Sequence, residues 1–241
     1  MTGTAREVER EIRAVYALAT QTIPTNRPGM RVTFAPECCS DEAAKWARVT
    51  EEARRMHGQG RPVLIGSRSV EASERLSAAL HAGGLAHRVI NARQDADEAA
   101  IIAQAGQAGM ITVATNMAGR GTDIHLGDGV VEAGGLHVIL TEYHDSSRID
   151  RQLFGRCARH GDAGSAQAIV ACDDALFVDH GGRLYVRLMR LFPRGLPPPM
   201  IGMLRAYVQR RAQRMHARTR RDTLKQDRKL DAMLSFAGNQ V

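Results

Sequence analysis

Lysine is scarce in this sequence: Lys45, Lys225 and Lys229 are the only three, so arginine supplies nearly all of the positive charge. None of the three follows a glycine or precedes Ser or Thr. The chain therefore has no G-x-x-x-x-G-K-[ST] loop, the segment whose lysine grips the β- and γ-phosphates of a nucleotide. No acidic motif working with an upstream loop of that kind can be assembled either, which excludes a self-sufficient nucleoside triphosphatase. Cysteine is equally sparse. Cys38, Cys39, Cys157 and Cys172 contain no C-x-x-C pair, so the spacing of a zinc site is absent and the thiols read as structural or incidental. Aromatic residues make up 4% of the chain, and residues 182–241 hold Tyr185 and Tyr207 but no Trp, which offers no platform for stacking bases. No apolar run approaches the ~18 residues of a membrane span. The opening "MTGTAREVEREIRAV" lacks the apolar core and cleavage site of a secretory signal, so a cytoplasmic location is expected.

What is present is ordinary in bulk and informative in detail. The 241 residues suffice for one substantial α/β domain and a smaller appendage, and 44% apolar with 24% charged residues is the balance of a soluble globular chain. The net charge of +7 favours an anionic partner. No solenoid repeat or low-complexity tract occurs.

Hydrophobic periodicity predicts helices over 41–57, 70–84, 95–106 and 146–161, and strands over 62–67, 86–91, 110–115, 134–142 and 166–172. Apolar strands alternating with helices predict a parallel sheet covered on both faces, an α/β fold whose ligands sit at the carboxyl ends of the strands. The composition changes after residue 182. "LFPRGLPPPM" (191–200) is too rich in proline to continue either pattern and reads as a rigid connection. A long helix is expected over 201–236. Ten basic residues from Arg205 to Lys229 surround a thin apolar stripe of Leu204, Val208, Met215 and Leu230. Such a helix is either a contact for an anionic membrane surface or nucleic acid, or a scaffold element whose polar face is conspicuous without its partners.

Two segments carry chemistry. In "TVATNMAGRGTDIHLG" (112–127) a strand runs into Gly119, Arg120, Gly121, Thr122 and Asp123. The glycines let backbone N–H groups approach an anion, Arg120 adds a fixed charge, and Asp123 can accept hydrogen bonds from ribose hydroxyls. The same pattern also serves a plain β–α turn. In "RIDRQLFGRCARHGDAG" (148–164), Arg148, Arg151, Arg156 and Arg159 lie in one stretch with Gln152. Arg156 and Arg159, three apart, are expected on one helix face, either as a solvated basic surface or as arginines that reach a phosphate held by a neighbouring domain.

Taken together, "ATNMAGRGTDI", "GGLHVILTEYHDSSRIDRQLFGRCARHGDAGSAQ", the opening "MTGTA", "PTNRP" and "GRPVLIGSRSVEASERLS" resemble the SecA preprotein-translocase ATPase family, most strongly from 61 to 175. The resemblance implies the second of two RecA-like motor domains, similar to the C-terminal domain of helicases. Residues 1–28 are then the tail of the first motor domain and its linker, 29–182 the second motor domain, and 183–241 a helical extension that starts the scaffold. It further implies ATP as cofactor, with Mg supplied through the missing half, and binding by Asp123, Gly119, Arg120, Gly121 and Thr122. Arg156 and Arg159 would be the catalytic arginines that cross the cleft toward the γ-phosphate. Partners implied are a Walker-containing first motor domain on the same or another chain, a preprotein substrate and a membrane channel, with peripheral membrane association. No metal ligand set is expected in the chain itself. The family pattern G-R-S-G-R-Q-G-D reads "GRCARHGD" here, placing Cys157, Ala158 and His160 at altered positions while both arginines are kept. His160 replaces a neutral amide by a group that gains charge on protonation. Tyr143 and Ser147 stand where arginines are common in the family, and the segment between "GTDI" and "GGLH" is shorter. The alternatives are the C-terminal half of a superfamily 2 helicase acting on nucleic acid, or a non-catalytic remnant that only binds a partner.

Overall fold

The computed structural model describes residues 9–90, 98–115 and 122–238. Three apolar segments become fully buried strands because every residue in them is wanted on one face of the sheet or the other. These are β3 (Val63–Ser67), β5 (Ile111–Thr115) and β6 (Leu136–Leu140). With β1 (Met30–Thr33), β2 (Glu37–Cys39), β4 (Arg88–Ile90) and β7 (Ala163–Ala171) they form one parallel sheet, in the order β1-β7-β6-β3-β5-β4, with β2 also pairing on β7. The register Val63↔Ile111 and Val63↔His137 aligns the central three strands, so their carboxyl ends finish at one edge.

Side chains alternate across this sheet with a period of two. Val63, Ile65, Ile111, Val113, Ile139 and Ile169 meet α2 (Glu42–Gly58) and α3 (Val70–Ala82) through Trp46, Val49, Ala53, Leu76 and Leu80. Their sequence neighbours Leu64, Ala114, Val138 and Ala166 meet Ile102 of α4 (Glu98–Gln104) and Leu153 of α5 (Ser147–Phe154) on the opposite face. Beyond α5, Leu140, Ala168 and Val170 pack against α6 (Ala175–Leu191) and α7 (Pro198–Gly238), where Leu176, Phe177, Ile201, Leu204, Val208 and Ala212 are buried. Both faces are covered, as the alternation of strands and helices predicts, and the architecture is a RecA-like α/β fold with a C-terminal helix.

Local chemistry sets the ends. Asp41 accepts from Ala44 N at 2.9 Å to start α2, and Ser69 accepts from Ala72 N at 3.1 Å to start α3. Pro198 and Pro199 sit in the first turn of α7, where a missing N–H costs nothing. Gly135 (φ +69°) precedes β6, and a Cβ there would lie 1.9 Å from the carbonyl oxygen of Ala163. Gly66 is required for a different reason: a Cβ would lie 2.3 Å from Leu153 Cδ2, so α5 crosses β3 at the one position without a side chain.

Four expectations change. α5 ends at Phe154, not at 161, because Gly155 caps it, with the Gly155 N–H on the Arg151 carbonyl and the Arg156 N–H on the Leu153 carbonyl. The proline-rich 191–200 segment is only partly a connection, since α7 already begins at Pro198. Strands β1 and β2 and the helix α6 were not anticipated. Residue 182, taken from composition as a boundary, falls inside α6 at Gly182, whose φ of 53° and ψ of −141° interrupt the helix. The helix expected over 95–106 is described from Glu98, and 95–97 lie outside the described residues.

Candidate functional site

The turn between α5 and the amino end of β7 is tied to Asp123. Its Oδ1 accepts from Arg159 Nη1 at 2.7 Å and from Ile124 N at 3.0 Å, and its Oδ2 lies 2.8 Å from His160 Nε2. Arg156 Nη1 donates to the Thr122 carbonyl at 2.9 Å, and Arg159 Nε donates to the Gly155 carbonyl at 2.8 Å. The two segments singled out in the sequence are thus tied together by two arginines and a histidine. Gly119, Arg120 and Gly121 lie outside the described residues.

The turn that presents these groups is tightly wound. Ala158 (φ 56°) and His160 (φ 58°) both adopt left-handed backbone, followed by Gly161 at φ 87°. Gly155 ends the helix one residue before Arg156, so the two arginines leave a turn and not a helix face. Their convergence comes from Asp123 and Thr122 holding them, which corrects the expectation of a shared helical stripe. Arg27, in the "PTNRP" segment, donates from Nη1 to the His160 carbonyl at 3.1 Å and so fastens the turn to the chain that enters the domain.

The electrostatics follow from partial burial. Burial works to raise the Asp123 carboxyl, but the hydrogen bonds from His160 and Arg159 and the charges of both outweigh it, and the group ends below its ordinary value. The Arg159 side chain remains 37% exposed beside an Asp123 that is 28% exposed. A guanidinium has five N–H donors in a planar fork, and the two bonds above leave it the geometry to receive an anionic oxygen while still oriented by Asp123.

Sequence reasoning missed the polar contacts at the opposite, carboxyl edge of the sheet, where β3, β6 and β7 end. Asp150, inside the quoted α5 motif, is buried and accepts from His144 N at 3.0 Å and from Gln209 Nε2 of α7 at 2.7 Å, with His144 Nδ1 at 2.8 Å. Gln209 Nε2 also donates to the His144 carbonyl. Lys45 of α2, 1% exposed, donates to Asp174 at 2.6 Å beside Glu142 at 3.7 Å. Burial raises the Asp174 carboxyl to about 7 against the pull of Lys45. Arg68, just after β3, pairs with Asp145 at 3.1 Å. Apart from His144 with Asp150, six positions apart, these contacts join residues 59 to 129 positions apart, so no local spacing announces them.

A parallel sheet of this order, covered by helices on both faces, is a RecA-like α/β fold; its aspartate–arginine tie lies in the turn that leads into the amino end of β7 and not at the carboxyl edge where the sequence pattern places a ligand. Yeast DEAD-box splicing factor Prp28 shares the fold with a TM-score of 0.53 at 16% identity, over 86% of this chain and 44% of that one. Sequence comparison is more specific. The SecA P-loop domain family matches residues 30–130 and 128–192, and the chain belongs to the SecA family. It is 50% identical over 240 residues to protein translocase subunit SecA 2 of Nitrosospira multiformis, covering 99% of this chain and 36% of that protein. Against protein translocase subunit SecA of Fervidobacterium nodosum it is 41% identical over 96% of this chain and 27% of that protein. The chain therefore spans 27–36% of the length of these two relatives.

Proposed function

We propose that this chain is the second nucleotide-facing half of a SecA-type, ATP-driven protein-translocation motor. Asp123 and Thr122, with Gly119, Arg120 and Gly121 of the same sequence motif, contribute one side of the nucleotide site. A Walker-containing first motor domain, on the same or another chain, forms the other side and brings the Mg ion. ATP supplies a phosphoryl group whose transfer to water drives the motor. Arg156 and Arg159 bind that group from across the cleft and neutralise the charge that develops on its oxygens. Asp123 orients Arg159, and His160 secures Asp123 from the opposite side. The preprotein and a membrane channel are the partners of the assembled motor, which works peripherally at the cytoplasmic side of the membrane. Among the described residues no helix is long and apolar enough to cross a membrane.

The observation that supports this most directly is the pairing of Arg159 with Asp123 and of Arg156 with Thr122 across the two motifs. The residues present suit a triphosphate: two guanidiniums in reach of one edge, one of them partly exposed and held by a carboxylate whose charge is secured. A fluorescent ATP analogue, titrated into the motor completed with a Walker-containing half, tests it. Asp123→Ala should weaken binding about tenfold, the loss of roughly 1.4 kcal/mol expected for a charged contact. An unchanged affinity would remove Asp123 from the site. RNA-stimulated hydrolysis in the same assembly would transfer the fold to nucleic-acid translocation instead.

A further inference from the structure

Cys38 and Cys172 are 134 positions apart in sequence, yet their sulfurs lie 2.9 Å apart. The parallel pairing of β2 with β7 brings this about. Its register runs from Glu37↔Ile169 to Cys39↔Ala171, and Cys172 N extends the ladder by donating to the Cys39 carbonyl at 2.9 Å. Side chains on a strand alternate between faces, so Cys38 faces Cys172 while its neighbour Cys39 is directed to the other side and packs with Trp46 and Val49. The turn that leads into α7 closes over the pair: Gly195 is so near that a Cβ there would lie 2.2 Å from the Cys38 carbonyl oxygen, and Leu196 is buried. A cleft of about 430 Å³, lined by Glu37, Cys38, Cys39, Arg48, Arg194 and Leu196, opens onto this place from solvent, with Arg48 paired to Glu37.

We propose that Cys38 and Cys172 form a reversible disulfide site, closed by a small anionic disulfide such as glutathione disulfide that enters through this cleft. Exposed Arg194 at the rim supplies a positive charge for the carboxylates of such a reagent. Cys38, the cysteine of the pair that lines the cleft, attacks one sulfur of the reagent. The reagent's S–S bond breaks, one glutathione leaves as thiolate, and it takes up the Cys38 proton. The Cys172 sulfur then attacks Cys38, the Cys38–glutathione bond breaks, and the second glutathione leaves with the Cys172 proton. Two thiols are oxidised to one disulfide and one glutathione disulfide is reduced to two thiols. The hydrogen bond with Cys172 and burial raise the Cys38 thiol, and burial raises that of Cys39, so Cys38 is set apart by its place on the cleft and against Cys172 and not by its acidity. Once Cys38 is joined to glutathione, the short separation of the two sulfurs delivers Cys172 to the second attack. The product ties the edge strand β2 to the end of β7 directly beneath the start of α7.

The test is a non-reducing peptide map of the 241-residue protein after equilibration in glutathione buffers of rising oxidised fraction and alkylation of remaining thiols. The expected result is a joined pair of peptides containing Cys38 and Cys172, lighter than their sum by two hydrogens, with Cys39 and Cys157 alkylated. It should be accompanied by a rise in thermal midpoint of about 5 °C from closing a long loop. Cys172→Ser should abolish the joined pair and leave Cys38 carrying one glutathione. A Cys38–Cys39 bond, a lasting glutathione adduct on wild-type Cys38, or complete alkylation in the most oxidising buffer would overturn the proposal. The map of the wild-type protein decides between these outcomes even if the variant fails to fold.

Discussion

Asp123 is held by three donors and in turn orients one arginine. Because both partners of the Arg159 pair are partly exposed, solvent screens the attraction, and Asp123→Asn should cost less than about 1 kcal/mol in urea unfolding. The carboxyl lies below its ordinary value when folded, so this contribution is present above the unfolded value and is lost as pH falls through the folded one. A second residue-scale prediction concerns His137, which is fully buried beside Ser165 and Glu52 and whose ring burial lowers to about 4. The unfolded chain binds that proton near pH 6.5 and the folded chain does not. Stability from His137 is therefore complete above 6.5 and falls by up to about 3 kcal/mol as pH drops toward 4. Asp174, raised to about 7, works in the opposite direction over the same range. The quantity to measure is therefore the difference between wild type and His137→Gln in urea unfolding at pH 7.5 and 5, which should shrink at the lower pH. A constant difference would show that His137 is protonated in the folded state. Of the site residues, Asp123, Arg156 and Arg159 are legible as candidates because each belongs to a motif of fixed spacing. The role of His160 as a second clamp on Asp123 is not, since the bond spans 37 positions and depends on a left-handed turn.

At the scale of elements, α5 connects the site to the rest of the fold. It crosses β3 at Gly66, is held at its start by Asp150 to His144 and Gln209, and delivers Arg156 and Arg159 just past its end. Gln209→Ala leaves a buried carboxylate short of a donor and should cost about 2 kcal/mol, while Gln209→Glu, which places like charges together, should cost more. Equal stability of both variants and wild type in denaturant titration would show that α7 does not support α5. Gly135→Ala, at a positive φ and against the Ala163 carbonyl, should lose about 3 kcal/mol or fail to fold, read by the same titration. The central strands were legible because unbroken apolar runs such as "VLIGS" and "LHVIL" suit a sheet buried on both faces. The strands β1 and β2 were not, because "MRVT" is exposed throughout and "ECC" is three residues long, so neither carries a burial pattern. The helix α6 was hidden by Gly181 and Gly182, which read as a stop yet kink a helix that continues.

Across the whole molecule, the charge and the fold divide the labour. The sheet and its two helix layers carry the aspartate–arginine tie, and α7 carries ten basic residues from Arg205 to Lys229. Its first turns are core, with Ile201, Leu204, Val208 and Ala212 buried, whereas Met215 and Leu230 are more than half exposed. The apolar stripe read from sequence is therefore half scaffold and half surface. The relatives at 41–50% identity are about three to four times as long as this chain. In the motor proposed above, Arg156 and Arg159 act on the phosphoryl group across the cleft. Single-turnover ATP hydrolysis by that motor, with Arg159→Ala against wild type at saturating nucleotide, measures it most directly. The expected result is a fall in rate of about 10³ or more with nucleotide still bound, the range for loss of an arginine that stabilises phosphoryl transfer. An unchanged single-turnover rate with Arg159→Ala, in a motor that binds ATP normally, would contradict it.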